Sequence, residues 1–187
     1  MKKIKILLVA IVLLVCVNSV QAQNLVQNVK NYHVDLELSQ LKLNNTILLS
    51  DIAFIDQTGQ PFLNTVSGSL SVEKLDYDSW SFRKGNDKFR FDFTQKATGP
   101  DEWDLAKVDL TESSSSLTID NVNFAIGDNI SKLNSLYPQA YNQRGLNPRN
   151  NLYCAILQIN DLSGGISLIY DQISGNIYQI RFTMLTH

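Results

Sequence analysis

Apolar residues return at every second position along most of the chain after His33, in short runs broken by Gly, Asn, Asp and Pro, which is the pattern of antiparallel strands with one covered face. In YHVDLELSQLKL, Val34, Leu36 and Leu38 point one way and Asp35 and Glu37 the other. TILLSDIAFID is apolar on both parities and reads as a strand covered on both faces. A turn over 56–61 follows, where Gly59 permits an unusual backbone and Pro61 resists continuing a central strand. The next hairpin carries an aromatic stripe: Trp80 and Phe82 before the loop Gly85-Asn86-Asp87, and Phe89, Phe91 and Phe93 after it. Ser81, Arg83, Lys88, Arg90 and Asp92 occupy the opposite, mostly basic face, so the stripe reads as core.

An acidic stretch, GPDEWD, reads as a loop that presents Trp103, and a short strand over 105–110 follows it. The serine run 113–116 buries almost nothing and marks the best candidate boundary. Beyond a strand in LTIDNVNF, the segment FAIGDNISKLNSLYPQAYNQRG places Ile130, Leu133, Leu136 and Tyr137 at helical spacing, with Asp128 positioned to cap the helix start. Pro138 disfavours helical geometry at Tyr137 and predicts a loop after it, in which Tyr141, Asn142, Gln143, Arg144 and Asn147 are free of core periodicity. Three strands close the chain: NLYCAILQIN, apolar on both parities and hence central, then GGISLIYDQ and GNIYQIRFTML around a turn at Ser174-Gly175-Asn176. Tyr178, Ile180, Phe182 and Met184 share the covered face of the last one. The expectation is an α+β protein, mostly antiparallel β: a β-rich region 23–112, a serine linker 113–116, and an α+β module 117–187 of strand, helix and three-stranded meander.

The order of that module, with IGDNISKL opening the helix and ISLIYDQISGNIYQIRF closing the meander, resembles the small exported αβ module of the outer-membrane assembly lipoprotein BamE (the SmpA/OmlA family) and of β-lactamase-inhibitor proteins. The likeness covers about 117–185 and rests on Gly127, Ile130, Leu133 and the Gly175-Asn176 turn. Leu136-Tyr137-Pro138 stands where that family has Gly-x-Pro, and its lipidated cysteine near the mature start is missing. The resemblance implies a partner-binding module of the cell envelope without enzymatic activity.

The beginning of the chain changes the picture of where the protein works. Lys2, Lys3 and Lys5 precede an apolar run over 6–17, and Val20-Gln21-Ala22 puts small residues at a cleavage site, the organisation of a secretory signal peptide over 1–22. The run is shorter than the roughly 20 apolar residues that span a bilayer, so no transmembrane segment is expected in the mature chain. Val15 is too bulky to precede a lipidated Cys16. The mature chain then has 165 residues, with 13 basic against 18 acidic side chains, a net charge of −5. That balance lacks the positive field a nucleic-acid partner requires. Cys154 is its one cysteine, so its stability rests on an apolar core and not on an internal disulfide.

Candidate chemistry is sparse. Two histidines, His33 and His187, supply neither a nucleophile-histidine pair nor, with one cysteine, a four-ligand zinc site. Cys154 lies in an apolar strand and reads as a small hydrophobe. Asp76 and Asp78, or Asp101, Glu102 and Asp104, supply carboxylates for the alternative, a glycan hydrolase or glycan-binding protein, although no spacing selects a pair. No cofactor is expected. The better reading is a periplasmic or secreted binding protein, with another envelope or secreted protein as partner and Trp103, Tyr141, Asn142 and Arg144 as the contact residues. Its first test is export: intact-mass analysis of the exported protein should give Gln23 as the first residue, and a chain retaining 1–22 or acylated at Cys16 contradicts it.

Overall fold

The computed structural model describes residues 27–56, 59–66, 71–76, 79–84, 89–96, 99–160 and 163–184. The segment 1–22, expected to be a signal peptide, the loop 85–88, His187 and the side chains of Asp76, Asp78, Trp80, Phe82, Phe89 and Asp101 lie outside what is described. The fold is α+β and mostly antiparallel. Its first part contains β1 (Asn31–Val34), β2 (Leu41–Leu43), β3 (Ile47–Leu48), β4 (Phe54–Asp56), helix α1 (Gln60–Thr65), β5 (Ser71–Asp76), β6 (Ser79–Lys84), β7 (Phe89–Lys96) and the long β8 (Gly99–Leu110). The rest contains β9 (Ser116–Ile119), β10 (Val122–Ala125), α2 (Leu133–Leu136), α3 (Pro138–Asn142), β11 (Gly145–Asn147), β12 (Leu152–Ile159), β13 (Gly164–Tyr170) and β14 (Ile177–Met184). Among the described residues, no helix is long and apolar enough to cross a membrane.

One sheet runs β1-β12-β13-β14-β8-β7-β6-β5, with β11 on β12 and β4 on β8; a smaller sheet runs β10-β9-β2-β3. The pairing of β1 with β12 is parallel, and the other strand pairs are antiparallel. The meander β12-β13-β14 joins the first part through β14 and β8, where Ile180 faces Leu110 and Phe182 faces Val108. A single hydrophobic cluster draws Leu41, Phe93 and Leu105 from before the serine run and Leu117, Leu133 and Phe182 from after it. The run itself enters that core. Ser115 is fully buried and Ser116 opens β9, so two of four serines expected to bury nothing are covered. Ser116 is held by Asn44, whose Oδ1 accepts from its N–H at 2.9 Å, and Thr118 donates to Asn45 Oδ1 at 2.6 Å.

Several sequence expectations change for local physical reasons. TILLSDIAFID is not one strand: a 3-10 turn over Leu49–Ile52 separates β3 from β4 and buries Leu49 and Ile52 on one side. An i, i+3 pair of this kind looks, in sequence, like a strand apolar on both faces. Pro61 begins a helix instead of ending a strand, since its fixed φ suits the first helical turn. The hairpin β9–β10 turns on Asp120 and Asn121, both at positive φ (45° and 65°), as a two-residue turn matched to strand twist requires. GPDEWD is no loop but the start of β8, paired on one side with β4 and on the other with β7. The aromatic stripe is core where its side chains are described: Phe62 of α1 meets Phe91 and Phe93 edge-on, with centroids 5.1 and 5.2 Å away. On the opposite face of β7 the basic residues meet acids: Arg90 pairs with Asp92 at 2.8 Å, and Lys107 of β8 lies 3.3 Å from Asp92 and 3.0 Å from Asp109.

The last strand keeps the expected parity except at its start. Ile169 faces Gln179 while Tyr170 faces Ile177, so Tyr178 is the extra residue of a bulge. The bulge turns Ile177 inward and leaves Tyr178 43% exposed, correcting the placement of Tyr178 on the covered face; Ile180 and Phe182 are buried there and Met184 is half-buried. Phe182→Ala should therefore cost about 3–5 kcal/mol in denaturant unfolding, whereas Tyr178→Ala should cost less than ~1 kcal/mol. Equal costs at the two positions contradict the bulge.

Candidate functional site

The turn between β13 and β14 is built to hold its shape. Asp171 accepts hydrogen bonds from the Ser174 N–H (2.8 Å), the Ser174 hydroxyl (2.9 Å) and the Ile173 N–H (3.1 Å). Those contacts, led by the Ser174 amide, keep its carboxyl below 3.8. Gly175 takes φ +73°, and a Cβ there would stand 2.8 Å from Asn129 Nδ2. Asn129 is the clasp: its Nδ2 donates to the Ser174 carbonyl at 2.9 Å, and its Oδ1 accepts from the Ser131 N–H at 3.0 Å. It thereby caps the 3-10 turn over Ile130–Lys132 that leads into α2, the role expected of Asp128. Asp128 instead accepts from the Ala125 N–H (2.9 Å) and from Lys132 Nζ (2.7 Å). Burial raises its pKa, but these two partners hold the net value below 3.8. Three further backbone bonds, Ile130 N–H to Gly175 O, Gly127 N–H to Ile177 O and Ile177 N–H to Asp128 O, complete the join.

The opposite wall is helical where a loop was expected. Pro138 does end α2, yet it also starts α3, because a proline ring is tolerated at a first helical turn. The chain leaves α3 into β11 at Gly145, which is packed so tightly on the Gln27 carbonyl that any Cβ would overlap it. Leu146 N–H donates to Gln27 O (2.8 Å) and Val29 N–H to Leu146 O (2.9 Å), so residues 27–29 form a strap along β11. Gln27 Nε2 also donates to the Asn142 carbonyl at 3.1 Å.

Between the clasped turn and α3 lies a solvent-open cleft of about 400 Å³. Tyr141 and Arg144 form one side, Tyr153 and Tyr170 the floor, and Asn129, Gln172, Ile173 and Ser174 the other side, with Gln27 at the edge. The Arg144 guanidinium carbon stands 3.6 Å from the Tyr141 ring centroid, a close cation–π stack, and Nη1 donates to the Tyr141 carbonyl at 2.6 Å. Among the described residues it has no carboxylate partner. Tyr153 and Tyr170 tilt against each other with centroids 6.1 Å apart. Burial pushes the Tyr170 phenol upward, against the pull of Arg144, so it remains a hydrogen-bond donor at neutral pH. Ile173, at the rim, is 96% exposed.

Of the residues expected to make contacts, the fold brings Tyr141 and Arg144 together at this cleft. Asn142 lies beside them, exposed, but holds the strap through its carbonyl and does not line the space. Trp103 is corrected: it lies within β8, 6% exposed, in the core cluster, because the acidic stretch around it is sheet and not loop. Tyr153, Tyr170, Gln172 and Ile173 were missed. The two tyrosines sit in strands that read as core, while Ile173 carried a usable signal, an isoleucine stranded inside a turn sequence. Cys154 is buried, and that burial raises its thiol to about 11. His33 is exposed on β1, its Nδ1 3.1 Å from Asn160 Oδ1. Among the described residues no three His, Cys, Asp or Glu side chains gather as a metal site would need.

Compared with family models, with curated proteins and with solved structures, the chain matches none. The cleft must be read from its own chemistry. If the strap shapes it, Gly145→Ala should destabilise the protein by about 1–3 kcal/mol through overlap with Gln27. It should also speed amide exchange at Val29 and Leu146 ahead of the β12–β14 amides, and unchanged exchange at those two positions contradicts the strap.

Proposed function

We propose that the protein is an exported, non-enzymatic binding protein that holds another envelope or secreted protein at the Tyr141–Arg144 cleft. The observation that carries this reading is the Arg144 guanidinium, stacked on Tyr141 without a carboxylate partner among the described residues, beside an open polar space. Tyrosine and arginine are the residue types that anchor protein interfaces, since both bring large contact area with few freely rotating bonds. Among the described residues, the cleft lining contains no Asp, Glu, His, Lys or Cys. A glycan hydrolase needs two carboxylates flanking its bond, about 5–9.5 Å apart, so this cleft favours binding over the hydrolytic alternative. Export belongs to the same proposal through the signal peptide pattern of 1–22, and the resemblance to the BamE module points the same way.

Capture from the native envelope fraction tests the reading without a guess about the partner. Tyr141→Ala and Arg144→Ala should each weaken capture of the same protein by at least ~1–2 kcal/mol with unchanged circular dichroism. Equal capture by the wild type and both variants removes the cleft as the binding site.

A further inference from the structure

The chemistry of the cleft narrows what it receives, on the reading that it is a binding site. Of the five N–H donors of a guanidinium, Arg144 spends one on the Tyr141 carbonyl, and the stack on the Tyr141 ring fixes the plane of the rest. A fixed planar fork is the geometry that meets a carboxylate through two parallel hydrogen bonds. Charge selects in the same direction. Among the described residues one cation and no anion line the space, so a singly charged group is neutralised there, while a phosphate monoester, at about −1.5 to −2, is left in excess. No described residue hydrogen-bonds the hydroxyls of Tyr141, Tyr153 or Tyr170, which leaves three phenols at the same cleft to donate to a carboxylate or accept from a backbone amide.

The rim decides between a sugar and a peptide as the carrier of that carboxylate. Ile173 projects from a turn held rigid by Asp171 and Asn129, almost wholly exposed, at the rim of the same space that Arg144 lines. An uronic acid offers hydroxyls to this position and gains nothing from it; a peptide offers an apolar side chain, whose burial against Ile173 removes apolar surface of both partners from water. We propose that the cleft binds a short acidic segment of a protein, in which a carboxylate enters against Arg144 and an adjacent apolar side chain rests on Ile173. The turn and the stacked arginine are in place before the segment arrives, so little ordering opposes binding.

A random heptapeptide library displayed on phage, selected against the full mature chain, tests this. Enriched peptides should carry Asp or Glu beside Leu, Ile, Val or Phe. A synthetic copy of one, followed by fluorescence anisotropy, should bind Arg144→Ala at least about tenfold more weakly, and replacing its acid by the amide should lose a similar factor. Arg144→Lys keeps the charge and loses the fork, so it should lose about threefold and serves where the alanine variant is poorly folded. Ile173→Ser should weaken the peptide several-fold without changing thermal unfolding. Enrichment of basic or neutral sequences, no enrichment at all, equal binding by Arg144→Ala and Arg144→Lys to wild type, or binding of oligogalacturonate in place of peptides overturns the proposal. If these results occur while capture of the native partner still depends on Tyr141 and Arg144, the acidic ligand is wrong and the binding cleft stands; if capture is also independent of them, both fail.

Discussion

Asp109 sits where the two parts of the chain meet, and the large sheet depends on what it holds. It lies in β8, 7% exposed, and accepts from Arg181 Nε of β14 at 2.6 Å and from Gln179 Nε2 at 3.0 Å, with Lys107 Nζ 3.0 Å away. A carboxylate this covered is costly unless its hydrogen-bonding capacity is met, so β14 must lie in the register that brings Arg181 opposite Asp109. A one-residue slip would separate that pair and turn Ile180 and Phe182 from the core to the solvent face. The ion pair contributes little net energy beyond an apolar pairing of the same shape; what it supplies is a penalty on every other alignment. Arg90, Asp92 and Lys107 extend the alternation across β7 and β8, which completes a charged face whose partners are set by strand order.

From that fixed strand the cleft follows by short steps. β14 begins with a bulge, the bulge brings Ile177 inward, and the Ile177 backbone pairs with the consecutive residues Gly127 and Asp128 in the turn that leads into the helical segment. The same contact places Asn129 against Gly175, where one side chain both caps a helical turn and ties down the loop that carries Ile173. The opposite wall depends on Gly145, which lets the strap approach β11 just after Tyr141 of α3 and Arg144 beyond it, both of which line the cleft. Burial pushes the Cys154 thiol up to about 11, well above the range of a reactive thiolate.

The sequence made the sheet legible because alternation survives in nearly every strand, and it made Tyr141 and Arg144 visible because they break the core rhythm. Short helical turns were not legible. Leu49 and Ile52, or the six residues of α1, are too few to show a period of 3.6 against a background of period two. Trp103 was misplaced because Gly99, Pro100 and three acids resemble a loop, and only pairing on both sides by β4 and β7 makes that stretch a strand. The floor of the cleft could not be read at all. Tyr153 and Tyr170 are neighbours through the register of β12 and β13, a long-range fact that local pattern does not contain. The expectation for Tyr178 failed for a related reason: one inserted residue reverses parity, and alternation in sequence does not mark where the count slips.

The central claim is that Arg144 is held flat on Tyr141 in the free protein and kept ready for a carboxylate. The NMR signal of its Nε–H measures this directly, because a proton above an aromatic ring is displaced upfield and a new charge-assisted hydrogen bond shifts it back. The account predicts an upfield Nε–H signal in the free chain that returns to an ordinary position in Tyr141→Leu. It also predicts a saturable downfield shift on titration with capped aspartate at low salt, with the amides of 171–176 unmoved. An Nε–H signal at its unstructured position in the free chain, or one indifferent to capped aspartate, contradicts it.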